Sequence, residues 1–308
     1  RQINVKLNKP GLDVQTRKGY YAIESMGQLP VLEYEAPAIA AARRVDTKAK
    51  SFAFVGSALS FPATNRAGLS LILAEAPLSA FAFTSSDDKR YNADFSFVAL
   101  IRDSTNQVIQ KLSQHYPLTG PLEKLDAAKK GQVLFYREVQ LPPGNYTVEL
   151  IAYDGLTEKV TLRRTALEIP NIDELKPQLS SVAVLRRAER LTPEEQKRDQ
   201  PLRFGELLVY PNLGEPVAKS AKQLAFFFTA WPAKRSTAAL RLTVEILRNS
   251  LSLVKTDGPL PGADEMGQIK YASSFPLDQF QPGVYELKVT IADDKNSVSR
   301  STSFTVAP

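Results

Sequence analysis

The dominant pattern along this chain is a period of two. Tyr146, Val148, Leu150 and Ala152 share one face of an extended segment, with Thr147 and Glu149 on the other. Tyr285, Leu287, Val289 and Ile291 repeat the arrangement against Glu286, Lys288 and Thr290. Alternation of this kind predicts half-buried antiparallel strands. Both segments follow a Pro-Gly pair, in Leu141-Pro-Pro-Gly144 and Phe280-Gln-Pro-Gly283. Proline presets φ for a first turn position and glycine accepts a positive φ after it, so Gly144 and Gly283 are expected to turn the chain into each strand. In both copies a tyrosine stands two residues past the glycine. That placing of Tyr146 and Tyr285 is similar to the tyrosine corner of Greek-key sandwiches, whose hydroxyl bonds a nearby backbone group. Asp154 and Asp293 end the two segments and are expected to form Asx-turns.

Other short apolar runs extend the β pattern on either side. Before Tyr146 they are Ser51 to Val55, Leu69 to Leu73, Ala80 to Thr84, Phe95 to Ile101, Val108 to Leu112 and Val133 to Val139; Val160 to Ile169 follows. The second half echoes the order. Leu207 to Tyr210 matches the first run, Ala225 to Thr229 matches Ala80 to Thr84, and Leu240 to Arg248 matches the strand ending at Arg102. Ser299 to Val306 closes the set. Spacing between the copies drifts by a few residues, as loop insertions permit. Short strands with Gly, Pro and polar connectors suit a sandwich. The expected fold is all-β: two tandem immunoglobulin-like antiparallel β-sandwiches, 47–172 and 173–308. Residues 1–46 precede them as a hairpin over 1–22 and a short helix beginning near Pro37. Leu179 to Leu191 is the expected first strand of the second sandwich. The charged stretch from Leu191 to Pro201 reads as a capped turn or a connector.

Composition narrows the class. At 308 residues, with 43% hydrophobic and 23% charged positions, the chain has the make-up of a folded globular protein. It contains no cysteine, which excludes disulfides and thiolate zinc sites. No apolar window is long enough to span a bilayer. The net charge is +6, but the basic residues are scattered, with Arg163-Arg164 and Arg186-Arg187 the densest points. Nucleic-acid recognition needs a concentrated basic footprint, so no nucleic-acid partner is expected. The opening at Arg1 rather than Met, with no signal-like apolar core, suggests a fragment of something longer.

Chemistry is sparse. His115 is the single histidine. No Gly-x-Ser-x-Gly elbow accompanies it, and a loop histidine is the better reading. Asp87-Asp88, Asp293-Asp294 and the pair Asp154 and Glu158 could offer oxygens to calcium, but turn-forming roles fit them better. No catalytic, cofactor or metal residue is assigned. Trp231 is the lone tryptophan, a candidate platform for a sugar or peptide that also fits core or rim packing.

Several stretches resemble a family, the acidobacterial von Willebrand factor A-related domain proteins. The carriers are Ile3-Asn-Val-Lys-Leu-Asn-Lys-Pro-Gly-Leu-Asp-Val-Gln-Thr-Arg-Lys-Gly-Tyr-Tyr21, Leu202 to Pro216, and Leu141-Pro-Pro-Gly-Asn-Tyr146. The similarity is to the β-rich region downstream of the family's integrin-like domain. The metal-adhesion motif Asp-x-Ser-x-Ser is absent here, so no metal site is carried over. The resemblance implies export to the periplasm, cell surface or medium, and a binding or scaffolding role toward a protein or cell-surface component. Alternatives are a carbohydrate-binding module, or a carboxylate-based hydrolase.

Overall fold

The computed structural model describes residues 29–44 and 51–308, apart from 235 and 237 and the side chain of Thr64. The expected hairpin over 1–22 lies outside the described residues. Helix α1 (Glu35–Ala42) begins two residues before Pro37. The first half then runs β1 (Val55–Phe61), β2 (Leu69–Pro77), β3 (Thr84–Ser86), β4 (Arg90–Arg102), β5 (Val108–Pro121), helix α2 (Leu125–Lys129), β6 (Gln132–Gln140), β7 (Gly144–Asp154) and β8 (Val160–Ile169). The second half runs β9 (Gln178–Leu179), β10 (Ala183–Arg190), β11 (Arg203–Phe204), β12 (Leu207–Pro211), β13 (Gln223–Trp231), β14 (Arg241–Arg248), β15 (Leu251–Pro259), β16 (Ile269–Pro276), β17 (Gly283–Ala292) and β18 (Ser297–Val306).

The sheets repeat. In the first half the orders are β1-β2-β6 and β5-β4-β7-β8, with β3 pairing the start of β4. The second half has β10-β13-β16 and β15-β14-β17-β18, with β11, β12 and β9 added to the first of these sheets. One strand order used twice defines tandem immunoglobulin-like sandwiches of antiparallel strands. Register is repeated too: Val98 opposes Ile151 across β4 and β7, and Thr243 opposes Thr290 across β14 and β17.

Compact units do not follow the halves of the sequence. One comprises 1–54, 75–135 and 147–165; the other comprises 55–74, 136–146 and 166–308. In the first unit α1 places Ala38, Ile39 and Ala42 in a cluster with Val98, Leu100, Ile151, Tyr153, Val160 and Leu162. The helix is anchored by buried Glu35, which accepts the Leu32 amide at 2.6 Å and the Ser113 hydroxyl at 2.6 Å and pairs with Lys111. The second unit has two apolar clusters. One gathers Phe226, Phe228, Leu242, Ile246, Leu287 and Ile291; the other gathers Leu59, Phe61, Leu71, Val209, Phe227 and Trp231.

Two expected strands do not form as read. Ser51 to Phe54 precedes β1, and Ala80 to Phe83 bridges a 3-10 turn and β3. In both places side chains take the backbone groups that a neighbouring strand would otherwise hold. Thr161 Oγ1 accepts the Phe52 amide at 3.2 Å, Arg163 donates to the Phe54 carbonyl at 2.9 Å, and Asp154 Oδ2 accepts the Ala82 amide at 2.7 Å. Phe81 is nonetheless buried, stacked on Phe95 with centroids 4.0 Å apart. The partner of β13 in the repeat is therefore β2, not Ala80 to Thr84.

Gly68, just before β2, meets the Leu141-Pro-Pro-Gly144 stretch at close range. Its carbonyl accepts the Leu141 amide at 3.1 Å, its φ is 71°, and a Cβ there would lie 1.9 Å from the Leu141 carbonyl oxygen. Gly205 has φ 57° with nothing within 4 Å of such a Cβ. Gly205→Ala is expected to cost only the left-handed conformation, about 1 kcal/mol. Gly68→Ala adds a backbone collision and is expected to cost about 3 kcal/mol or more. Urea melts of the two variants measure the difference, and equal costs would contradict the close approach.

Candidate functional site: the Trp231 cavity and the tyrosine corners

Tyr146 and Tyr285 stand just inside β7 and β17, which open on Gly144 and Gly283. The φ values of these glycines, 159° and 146°, are positive and lie where residues with a Cβ rarely go, so glycine is what lets the chain enter each strand there. The tyrosine hydroxyls donate back four residues, to the Pro142 carbonyl at 2.8 Å and to the Gln281 carbonyl at 2.7 Å. Both rings are buried. Tyr285 also packs edge-on against Phe280 and in parallel with Phe304, and the Arg248 guanidinium lies 5.3 Å over its ring.

At the far ends of these strands Asp154 and Asp293 hold their turns alike. Asp154 Oδ1 accepts the amides of Leu156 and Thr157, at 3.0 and 3.2 Å. Asp293 Oδ1 accepts those of Lys295 and Asn296, at 2.8 and 2.6 Å. The Lys295 and Asn296 amides hold the Asp293 carboxyl below the usual carboxylate range. His115 sits on β5, a strand longer than the sequence suggested, with Nε2 2.7 Å from Asp94 and its ring stacked on Tyr34. Among the described residues no cluster of three or more His, Cys, Asp or Glu could hold a metal.

Trp231 is where the second unit opens. The tryptophan is only 8% exposed, buried against the β1 and β2 side chains Leu59, Phe61 and Leu71, so its ring is no open platform. It lines a cavity of about 260 Å³. Alternation along β13 explains the lining. Phe226, Phe228 and Ala230 face one cluster, which puts Phe227, Thr229 and Trp231 on the opposite face, toward the cavity side. Phe61 and Leu69 add apolar surface, while Asn65, Asp199, Met266 and Gln268 contribute the rim. Met266 is 51% exposed, which places the mouth at the surface.

Charge at the rim is balanced. Arg66 pairs with Glu138, which also accepts the Tyr136 hydroxyl at 2.9 Å. Burial, and then the bond to Glu138, raises the Tyr136 phenol above the usual tyrosine range. Asp199 lies 3.9 Å from the Lys270 ammonium, which donates to the Gln200 carbonyl at 3.2 Å. Burial pulls Lys270 below the usual lysine range, with Asp199 opposing. Among the described residues Thr229 Oγ1, within a residue only 1% exposed, has no hydrogen-bond partner, although its backbone amide and carbonyl are both held by Ser180 at 2.9 Å. The sequence singled out Trp231 alone. Its cavity neighbours beyond β13 come from three separate stretches, 61–69, 199–201 and 266–268, and no local motif links them.

No family model matches the sequence, and no curated protein matches it. Among solved structures, the chain is similar to trypsin-activated alpha-2-macroglobulin from Escherichia coli at TM-score 0.27 and 12% identity, over 84% of this chain and 17% of that one. It is similar to the fibronectin(III)-like modules of Clostridium thermocellum CbhA at TM-score 0.21 and 12% identity, over 78% of this chain and 85% of that one. The native conformation of the E. coli alpha-2-macroglobulin gives 0.24 and 13%, over 84% and 16%. At these scores the likenesses carry no inference. The chain spans less than a fifth of either macroglobulin. No helix among the described residues is long and apolar enough to cross a membrane.

Two outcomes are expected of these side chains. Tyr146→Phe and Tyr285→Phe each orphan a carbonyl and should cost roughly 1–2 kcal/mol in denaturant melts; two neutral substitutions would remove the corners from the list of stabilising contacts. For Lys270 the folded pKa is depressed, so its charging opposes folding. Stability is lost as pH falls through the depressed value and regained toward the unfolded pKa of about 10.4. Lys270→Met is therefore expected to be more stable than the parent by about 1 kcal/mol at pH 7. The gap should shrink in melts near pH 10, and a less stable variant at pH 7 would show that the ammonium is a net stabiliser.

Proposed function

We propose that this chain is a non-catalytic, exported interaction module, the binding or scaffolding region of a larger protein of the von Willebrand factor A-related kind. The observation that carries the reading is the doubled strand order, β1-β2-β6 with β5-β4-β7-β8 and again β10-β13-β16 with β15-β14-β17-β18. Repetition of a packed sandwich supplies rigid surface and edges rather than a deep reaction cleft. The resemblance of residues 3–21, 141–146 and 202–216 supports the export and the partner class, a protein or cell-surface component. The carbohydrate reading is weaker, because a sugar platform presents an open aromatic face and Trp231 is buried against β1 and β2 side chains.

Immobilised chain exposed to bacterial envelope fractions, to cellulose, chitin and xylan, and to chromogenic glycosides separates the classes. Saturable binding that protease treatment of the fraction abolishes is expected, with no retention on the polysaccharides and no turnover. Protease-resistant binding competed by a polysaccharide would favour the carbohydrate reading. Turnover lost on carboxylate substitution would overturn the non-catalytic one.

A further inference from the structure

We propose that β15 is a self-complementary edge on which a second copy of this chain docks, strand beside strand, in an antiparallel register centred on Thr256. The inference rests on that edge alone and is independent of the module reading. Strand β15 ends the sheet β15-β14-β17-β18, and among the described residues no strand but β14 pairs with it. Lys255, Thr256 and Asp257 are exposed, and so are Leu251 and Leu253. A bare edge carries unpaired N–H and C=O groups that template another strand.

The hydrogen-bond phase fixes which groups face the free side. The Leu260 amide donates to the Leu240 carbonyl at 2.8 Å, and the register continues with Leu242 opposite Gly258 and Val244 opposite Thr256. Antiparallel pairs alternate between bonded and non-bonded, so Gly258, Thr256 and Val254 bond to β14 while Asp257 and Lys255 turn N–H and C=O outward. Pro259 is the next outward residue. Having no N–H, it ends the free ladder without taking a bond from β14. Val254 packs against the apolar cluster that holds Val244 and Ile246, so Lys255 and Asp257 lie on the opposite face of the sheet.

Charge then selects one register. Centred on Lys255, two copies set lysine against lysine; centred on Asp257, aspartate against aspartate. Centred on Val254, Lys255 meets Leu253 and Asp257 meets Leu251. Centred on Thr256, each Lys255 forms a bonded pair with the other copy's Asp257, and this happens twice by symmetry. Thr256 faces its own counterpart, and Leu253 opposes Pro259. The Thr243 hydroxyl donates to Asp257 Oδ1 at 2.5 Å and orients the carboxylate on that face. Glu245 stands opposite Lys255 on β14, so in the paired copies each ammonium lies between two carboxylates. An edge lysine ordinarily guards a strand against addition. Here Asp257 matches the guard in one register, which admits a second copy and disfavours strands with no acid at that place.

In sedimentation equilibrium the full chain is expected to dimerise reversibly at concentrations up to about 0.5 mM, and more weakly in about 1 M salt, where exposed charges are screened. Lys255→Glu sets acid against acid and Asp257→Lys sets base against base, so each variant alone should dimerise about tenfold more weakly. Mixed together, the two should pair with each other, because each reversed charge then meets its opposite. A role of either residue in the fold alone gives no such mutual rescue. The chain has no cysteine, so a single introduced one reports the register. With Thr256→Cys the two copies would lie about 4.5 Å apart at Cα, within disulfide range, and mild oxidation should link them. With Ser252→Cys they would lie roughly 25 Å apart and should not link. This readout also decides if a charge variant fails to fold. Dimers insensitive to both reversals, no rescue between two folded variants, or linking through Ser252→Cys in place of Thr256→Cys would each overturn the proposal. A chain that stays monomeric throughout would overturn it too, leaving the edge to a strand of another protein.

Discussion

Strand β13 is buried on both faces, and the second unit depends on that constraint. A strand with one wet face alternates; one buried twice reads as a continuous apolar run, and Ala225-Phe-Phe-Phe-Thr-Ala-Trp231 is such a run. Phe226 and Phe228 go into the cluster with Leu242, Ile246, Leu287 and Ile291. Phe227 and Trp231 go into the cluster with Leu59, Phe61 and Leu71. Each fully buried ring is worth roughly 1.5–3 kcal/mol, so this one strand contributes an amount comparable to the net stability of a whole domain. Local propensity effects of a few tenths are small beside it. A polar residue can enter such a strand only where its backbone is held and its side chain finds room. Thr229 meets the first condition through Ser180 and the second through the cavity.

The repeat shows one solution under two loads. Strands β7 and β17 share a Pro-Gly entry, a tyrosine hydroxyl reaching back four residues and an aspartate closing the far turn. Only the first aspartate is also asked to hold a neighbouring segment, through the Ala82 amide. That added duty matches its burial, since Asp154 is enclosed while Asp293 is partly open. Strand β4 ends at Arg102, which pairs with buried Glu149 at 2.8 Å; strand β14 ends at Arg248, which covers Tyr285 instead. In the shared register Arg102 corresponds to Leu247, so Arg248 stands one residue further along its strand, and the two arginines serve different neighbours.

Legibility followed the range of the interaction. Tyr146, Tyr285 and the Asx-turns of Asp154 and Asp293 are readable because those bonds reach no more than four residues. Helix α1 is readable from its alanine-rich run, although Ser113 and Lys111 anchor it from far away. The runs at Ser51 to Phe54 and Ala80 to Phe83 misled for a physical reason: burial of Phe54 and Phe81 imposes a strand-like pattern, but Thr161, Arg163 and Asp154 take the backbone groups a strand would share. Strand β15 is not legible because most of its residues are exposed and leave no alternation, and β16 because most of its residues are half-buried on both faces. At the cavity the lone tryptophan drew notice. Nothing in the sequence could place Arg66, Asp199 and Met266 beside it, since each pairing crosses a long stretch of chain.

Native-state hydrogen exchange across a urea series tests the two-sided burial of β13 most directly. If the strand joins both apolar clusters into one cooperative body, amides of Phe226 to Trp231 exchange only through global unfolding. The amides of β1 and β2 at Leu59, Phe61 and Leu71 should then converge on the same free energy and urea dependence. Exchange of β1 and β2 by a separate, lower-energy opening that leaves β13 protected would contradict the account, because the face carrying Phe227 and Trp231 would not depend on them.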